Sequence, residues 1–157
     1  MKEQERKNNL VKKEEVKVIQ LTNSIDESDR VKKFTTLDIT DKKDANMLVN
    51  GMQKPDKYLK DCIGEVIECV GCYVIARDND SFNEDTGETV TRTKHILVLF
   101  DINGKSYLTG SQMCYRAFSD ITAINGLPSK ENHIKFKPIN ITADIKEHNF
   151  LSLVVVD

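Results

Sequence analysis

The sequence predicts an all-β domain, a β-barrel with one helix, that follows an N-terminal extension. One extended run, Ile63 to Asp78, is rich in Val, Ile, Cys and Tyr and contains no Pro. It is much longer than the usual strand of about five or six residues. Gly71 lies in its middle, where a long strand can bend and serve two regions of one sheet. Four further strands and a helix follow this run.

The elements after residue 58 are defined by alternation, turn and capping signals. Asn103-Gly104 predicts a tight hairpin turn, because Asn-Gly readily adopts positive φ. Ser111 is predicted to cap a helix that runs to about Asn125 and ends at Gly126. Its apolar stripe is Cys114, Ala117, Phe118, Ile121 and Ile124. The predicted strands are Gly64–Arg77, Val90–Phe100, Lys105–Thr109, His133–Thr142 and Phe150–Val156.

This order matches the five-stranded Greek-key barrel called the OB-fold, in which a helix lies between the third and fourth strands. A β-sandwich, the main alternative, requires about seven strands and has no place for the helix. A ferredoxin-like fold would require a second helix in this region. The predicted OB-fold domain spans residues 58–157.

Residues 1–57 are predicted to form an N-terminal arm, partly disordered with short helical and strand pieces. The first 15 residues are almost all Lys, Glu, Asn and Gln. Val16–Leu21 is predicted as a short strand, and Phe34–Thr40 has a β-leaning composition. Asp41 is predicted to cap a short helix that Gly51 stops.

Composition limits the protein classes that the chain can belong to. The net charge is −2, so charge alone does not indicate nucleic-acid binding. No apolar run approaches the roughly 18 residues that span a bilayer, and the first residues lack an apolar signal core. We therefore expect a cytoplasmic protein. Four cysteines without a secretory signal indicate reduced thiols.

The cysteines and histidines do not form a recognisable catalytic or metal motif. Cys69 and Cys72 have C-x-x-C spacing, which is found in zinc and redox sites. Residues three apart on a regular strand point to opposite faces, so buried reduced thiols are favoured and no cofactor or metal is predicted. The sequence has no phosphate-binding glycine loop, catalytic triad or paired carboxylates at diagnostic spacing. An enzyme is not expected.

Residues 62–157 resemble the small single-stranded DNA-binding proteins of phages and conjugative plasmids from Gram-positive hosts. The matching stretches are IGEVIECVGCYVI, TVTRTKHILVLFDINGKSYLTGS, HIKFKPINI and FLSLVVV. They share the layout strand, D-x-N/D-G-x-x-Y-x-x-x-S, helix, I-K-hydrophobic-K. The resemblance implies a sequence-tolerant protein that coats and protects single-stranded DNA during phage or plasmid replication, recombination or transfer.

An OB-fold accessory subunit that acts through protein–protein contacts in a replication or conjugation complex is the alternative. Residues 61–157 hold 9 Lys and Arg against 14 Asp and Glu, which favours this alternative. The arm is predicted to contact a neighbouring protomer or DNA and to give cooperative coating, since such segments can order on binding. No membrane and no small-molecule substrate are expected as partners.

Single-strand binders combine aromatic faces, which stack on bases, with cations that follow the phosphates. In an OB-fold this platform is the outer face of the second and third strands with the adjoining first strand. Tyr73 and Tyr107 could instead pack in the core. Lys135 and Lys137 could instead lie on a solvated strand face without binding DNA. Phe100, Phe118 and Phe150 are predicted core residues. The predicted nucleic-acid contacts are Tyr73, Arg77, Phe82, Arg92, Lys94, Lys105, Tyr107, Lys135 and Lys137.

Overall fold

The structure, a computed structural model, describes residues 19–22, 30–142 and 149–157. These residues form a curled, mostly β sheet with two α-helices, in line with the predicted all-β class. No helix among them is long and apolar enough to cross a membrane. The strands are β1 Ile19–Thr22, β2 Val31–Thr35, β3 Lys57–Tyr58, β4 Ile67–Phe82, β5 Thr89–Asp101, β6 Ser106–Thr109, β7 Ile134–Thr142 and β8 Asn149–Val155; the helices are α1 Lys42–Gln53 and α2 Gln112–Asn125.

The sheet is built on β4, which serves two regions. The first part of β4 pairs with β7, and its second part lies between β2 and β5. The two parts meet at a β-bulge, where one extra residue lies between Cys69 and Gly71. Further out, β1 pairs with β2, β6 with β5, β3 with β6 and β8 with β7. The prediction that the long strand bends at Gly71 is confirmed.

The bulge binds the segment that follows β2. A Cβ at Gly71 would lie 2.6 Å from Leu37 Cδ2, so glycine leaves the space that Leu37 occupies. The Thr35 hydroxyl donates to the carbonyl of Cys72 at 3.0 Å, and the Cys72 amide donates to the Thr36 hydroxyl at 3.0 Å. The Thr36 amide also donates to the Cys72 carbonyl, at 3.1 Å, so three hydrogen bonds join Thr35 and Thr36 to the backbone of Cys72.

All five predicted strands after residue 58 are present, but β4 continues to Phe82, five residues past its predicted end at Arg77, and five is the wrong count for the sheet. Within the described residues eight strands are present, because β1, β2 and β3 come from the predicted arm and join the same sheet. The domain boundary at residues 57/58 stays a prediction. Residues 1–18 and 23–29, including the start of the strand predicted at Val16–Leu21, lie outside the described residues.

Apolar side chains pack on both faces of the sheet, which we call inner and outer. The inner face meets α2, β7 and β8, and the outer face meets α1. Of the predicted core phenylalanines, Phe100 and Phe118 are buried, whereas Phe150 is 40% exposed. The inner cluster includes Cys72, Val74, Leu97, Leu99, Phe118 and Phe136; the outer cluster includes Leu37, Leu48, Tyr73, Ile75, Val98 and Phe100.

Both helices begin as predicted, but one ends later. Asp41 caps α1, yet α1 continues through Gly51 to Gln53. The predicted stop at Gly51 is wrong because this glycine serves a close approach: its Cβ would lie 2.8 Å from Cε1 of Phe100. Helix α2 follows the prediction, since the Ser111 hydroxyl accepts from the Cys114 amide and Gly126 takes a φ of 78°.

The apolar stripe of α2 is confirmed only in its first part. Cys114 and Phe118 are buried, and Ala117 and Ile121 pack against the inner cluster. Ile124, in the last turn, is 87% exposed. The contact of α2 with the sheet therefore stops short of its C-terminal end.

The hairpin between β5 and β6 is held by the carboxylate of Asp101. Its Oδ1 accepts from the amides of Asn103 and Lys105, both at 2.9 Å, and its Oδ2 accepts from the Tyr107 hydroxyl at 2.8 Å. Gly104 has a φ of 82°, as the Asn-Gly signal requires. The Asp of the D-x-N-G-x-x-Y stretch thus binds both the turn and the Tyr of the same stretch.

Replacing Tyr107 by Phe should destabilise the protein. The change removes a donor from a carboxylate that is only 7% exposed, and we expect the free energy of unfolding to fall by about 1.5–3 kcal/mol. Urea denaturation followed by circular dichroism measures this change. The control is Tyr58→Phe, at a tyrosine that is 47% exposed. Equal losses for the two variants would contradict the role given to Asp101.

Candidate nucleic-acid interface

Strands β4 and β5 extend beyond the core as a two-stranded ribbon. We use this name for residues 77–82 paired with residues 89–94, together with the loop 83–88 that joins them. Most side chains of the ribbon are exposed on both faces. β5 is exposed in its first half and buried in its second, which follows the change from polar to apolar residues along its sequence.

The outer face of the ribbon carries positive charge without acidic partners. Arg77 lies directly opposite Lys94, and Arg92 lies opposite Asn79. Like charges in direct cross-strand positions destabilise a sheet. All three cations are exposed, and within the described residues none of them forms an ion pair. This face is therefore available to an anionic ligand.

The inner face of the ribbon carries the opposite charge. The hydroxyl of Thr93 donates to Asp78 at 2.6 Å, and that of Thr91 donates to Asp80 at 2.8 Å. Arg30 also pairs with Asp80 at 2.7 Å. The hydrogen bonds from Thr91 and Arg30 hold the pKa of Asp80 below its usual value. Because side chains alternate between faces along a strand, the ribbon separates its acidic and basic residues by face.

A groove of about 420 Å³ lies at the base of the ribbon on the outer face. Three elements meet there, since β2 runs beside β4, the last turn of α1 forms one wall, and the segment before α2 forms another. Both cations and aliphatic side chains line the groove. Its cations are Lys33, Arg77 and Lys94, and its aliphatic side chains are Met52, Ile75 and Ile96.

Lys33 is a groove residue that the sequence did not indicate. The pairing of β2 with β4 places Lys33 opposite Ile75, and Lys33 lines the groove beside Arg77. In the sequence, the β-branched residues Val31 and Thr35 on either side of Lys33 are only a weak strand signal. It could not reveal that this strand joins β4 on the side away from β5.

His95 and Gln112 form the end of the groove next to α2. The two residues form a pair of hydrogen bonds, from the His95 amide to Gln112 Oε1 and from Gln112 Nε2 to the His95 carbonyl, both at 2.9 Å. The His95 ring also stacks on Tyr115, with centroids 3.9 Å apart. These contacts fix the start of α2 against β5, although the histidines showed no pattern in the sequence.

The two tyrosines of the predicted site are buried. Tyr73 shares the outer face with Arg77, as its parity indicates, but it is 6% exposed and packs with Leu37 and Leu48. Tyr107 belongs to the inner cluster, and its hydroxyl binds Asp101. Burial raises the pKa of both tyrosines, and the Asp101 hydrogen bond raises that of Tyr107 further. In this structure neither ring is open to a base.

The remaining predicted contacts lie apart from the groove. Phe82 is 64% exposed at the end of β4, but it has the parity of Asp80 and so lies on the inner side of the ribbon. Lys105 is exposed in the β5–β6 hairpin. Lys135 and Lys137 are on β7, beyond the bulge. Of the nine predicted contacts, the structure brings together Arg77, Arg92 and Lys94.

The four cysteines are buried free thiols. Burial raises the pKa of Cys62 to about 11 and that of Cys72 and Cys114 to about 12. The Cys69 thiol donates to the carbonyl of Gly71 at 3.0 Å. Among the described residues, no group of three or more His, Cys, Asp or Glu could hold a metal ion.

We expect all four thiols to react slowly in the folded protein. At about pH 8 a thiol with a raised pKa is almost entirely protonated, and only the thiolate reacts with a disulfide reagent. Ellman's reagent should modify the folded protein much more slowly than the protein in guanidinium chloride, where all four thiols become accessible. Fast reaction of one thiol in the folded state would contradict its burial.

Comparisons with known proteins give no match: no protein-family model, curated protein or solved structure is similar to the chain at a significant level. The resemblance to phage and plasmid single-strand binders therefore stays an expectation.

Proposed function

We propose that this chain is a sequence-tolerant single-stranded DNA-binding protein that binds its ligand in the groove and along the outer face of the ribbon. The observation that carries this proposal is the direct cross-strand pairing of Arg77 with Lys94, without an acidic partner on that face. Such a pair opposes folding, and a polyanion removes the repulsion. Lys33 and Arg92 extend the positive surface along the strands.

The groove suits a flexible single strand better than a rigid duplex. Its half-buried aliphatic residues, Met52 and Ile96, offer apolar surface to unpaired bases, while its cations face the phosphates. Apolar contact with base faces does not distinguish sequences, because every base has an apolar face. The Gln112 amide is already hydrogen-bonded to His95 and Gly110, so it has little capacity to read base edges.

The order of elements supports an OB-fold for this protein. A long bent strand, β4, pairs with both β5 and β7, and α2 lies between the third and fourth strands of the set β4 to β8. This is the arrangement expected of a Greek-key barrel. The proposed domain also contains a feature beyond that pattern, since Lys57–Tyr58 pairs with β6.

We propose that the protein acts in the replication, recombination or transfer of phage or plasmid DNA. The sequence resemblance supports this setting. The proposed self-association through the N-terminal arm concerns residues that lie mostly outside the described part of the chain. An accessory subunit that acts through protein contacts is the second candidate function. The observation in its favour is the acidic ribbon loop beside the exposed Phe82.

Removing groove cations should weaken binding to single strands. Lys33→Ala, Arg77→Ala and Lys94→Ala should each lower the affinity for a fluorescent oligo-dT several-fold. Each should also reduce the slope of log K against log salt by about 0.7, the value for one phosphate contact on a single strand. The control is Lys135→Ala with Lys137→Ala, on β7 and away from the groove. Unchanged affinity in the groove variants would contradict the proposed site.

Binding should depend on strandedness more than on sequence. We expect oligo-dT and a mixed-sequence strand to bind with affinities within a few-fold of each other, and a duplex of the same length to bind more weakly. Anisotropy titrations with single-stranded DNA, single-stranded RNA and duplex at two salt concentrations measure this preference. Equal affinity for duplex would show that the ligand is recognised by charge alone.

A further inference from the structure

The far end of the ribbon differs in charge from its base. Between Arg77 and Arg92 the chain has no Lys or Arg and five acidic residues. Asp80 is paired with Arg30, whereas the other four form no ion pair within the described part of the chain. The loop therefore presents uncompensated negative charge. The acidic residues are Asp78, Asp80, Glu84, Asp85 and Glu88.

The loop is ordered and carries an exposed aromatic side chain. The Asn83 amide donates to the Glu88 carbonyl at 2.9 Å, and the Gly87 amide donates to the Asn83 carbonyl at 2.8 Å. Gly87 takes a φ of 70°, which closes the turn. Phe82, immediately before the loop, is 64% exposed. We call Phe82 with residues 83–88 the tip.

The tip and the groove are complementary in charge and polarity. The tip offers carboxylates around a phenyl ring, and the groove offers Lys33, Arg77 and Lys94 around aliphatic side chains. Burial of the exposed Phe82 ring against apolar side chains is favourable, because it removes apolar surface from water. Opposite charge on the two surfaces favours their encounter.

The tip cannot enter the groove of its own chain. The ribbon is paired residue by residue from Ile75 with Ile96 to Phe82 with Thr89. Groove residue Asn79 and tip residue Phe82 are three residues apart, about 10 Å along a continuous ladder, and Phe82 lies on the opposite face of the ribbon. Only a second molecule can bring a tip to this groove.

We propose that the tip of one copy docks in the groove of a second copy, with Phe82 against the aliphatic residues and the acidic side chains beside the cations. The contact joins two different surfaces: made reciprocally about a two-fold axis it gives a dimer, and repeated head to tail it gives rings or open chains. It is small, and therefore weak and sensitive to salt. That single strands displace the tip rests on the proposed function, because both ligands would use the same groove.

Two complementary variants test the docking. The tip variant combines Phe82→Ala, Glu84→Gln and Asp85→Asn, and the groove variant combines Arg77→Glu and Lys94→Glu. Sedimentation velocity at low ionic strength should show concentration-dependent oligomers for the unmodified chain and monomers for each variant alone. An equimolar mixture should give dimers and nothing larger, because only one intact tip and one intact groove can meet.

Several outcomes would overturn the docking: a monomeric unmodified chain at all concentrations, association of either variant alone, or a mixture that stays monomeric. A chain that lacks residues 1–18 should associate as the unmodified chain does, which separates tip docking from contacts of the arm. Lys135→Glu with Lys137→Glu is the control for charge reversal on another strand. Loss of association in either of these two would also contradict the assignment.

The competition with DNA has its own readout. The tip variant should bind oligo-dT about two- to fivefold more tightly than the unmodified chain at concentrations where the latter associates, since its grooves are free. Added oligo-dT should dissociate the oligomers of the unmodified protein into monomers. Association that oligo-dT leaves intact would overturn the shared groove. If no form of the protein binds oligo-dT but the mixed variants still dimerise, the proposed function fails and the docking stands.

Discussion

The bulge between Cys69 and Gly71 is the constraint on which the rest of the structure depends. It divides β4 into two parts with different partners. The first part pairs with β7, and the second lies between β2 and β5. The missing side chain at Gly71 admits Leu37, and the hydroxyls of Thr35 and Thr36 bind the backbone of Cys72. The bend therefore also holds the segment that leads into α1.

The position of α1 in turn decides where a ligand can bind. By packing Leu48 onto Tyr73 and Phe100, α1 covers the middle of the outer face, where an aromatic platform was expected. The face opens again beside the last turn of α1, at the half-buried Met52 and Ile96. The candidate site thus lies at the base of the ribbon, with cations and aliphatic side chains in place of stacking rings.

The accuracy of the sequence-based predictions follows the range of the interactions involved. Strand alternation, the Asn-Gly turn and the Ser111 cap are local signals, and the elements that depend on them are present. Parity placed Tyr73 on the correct face. Its burial depends on α1, and the place of Lys33 depends on a pairing with residues more than forty positions away, which no local pattern contains. Gly51 shows the same limit, because its role is a contact with Phe100.

Charge separation within the ribbon explains how an acidic chain can present a surface for a polyanion. The net charge of −2 is a sum over the whole chain, whereas a ligand contacts only one face of the ribbon. Because strand side chains alternate, Arg77 and Lys94 can stand on one face while Asp78 and Asp80 stand on the other, in a hairpin only about 10 Å across with its side chains. The same alternation that makes one face attractive to phosphates leaves the molecule with two surfaces of opposite charge. Under the proposed function and the proposed docking, a strand of nucleic acid and a second copy of the chain compete for the basic face.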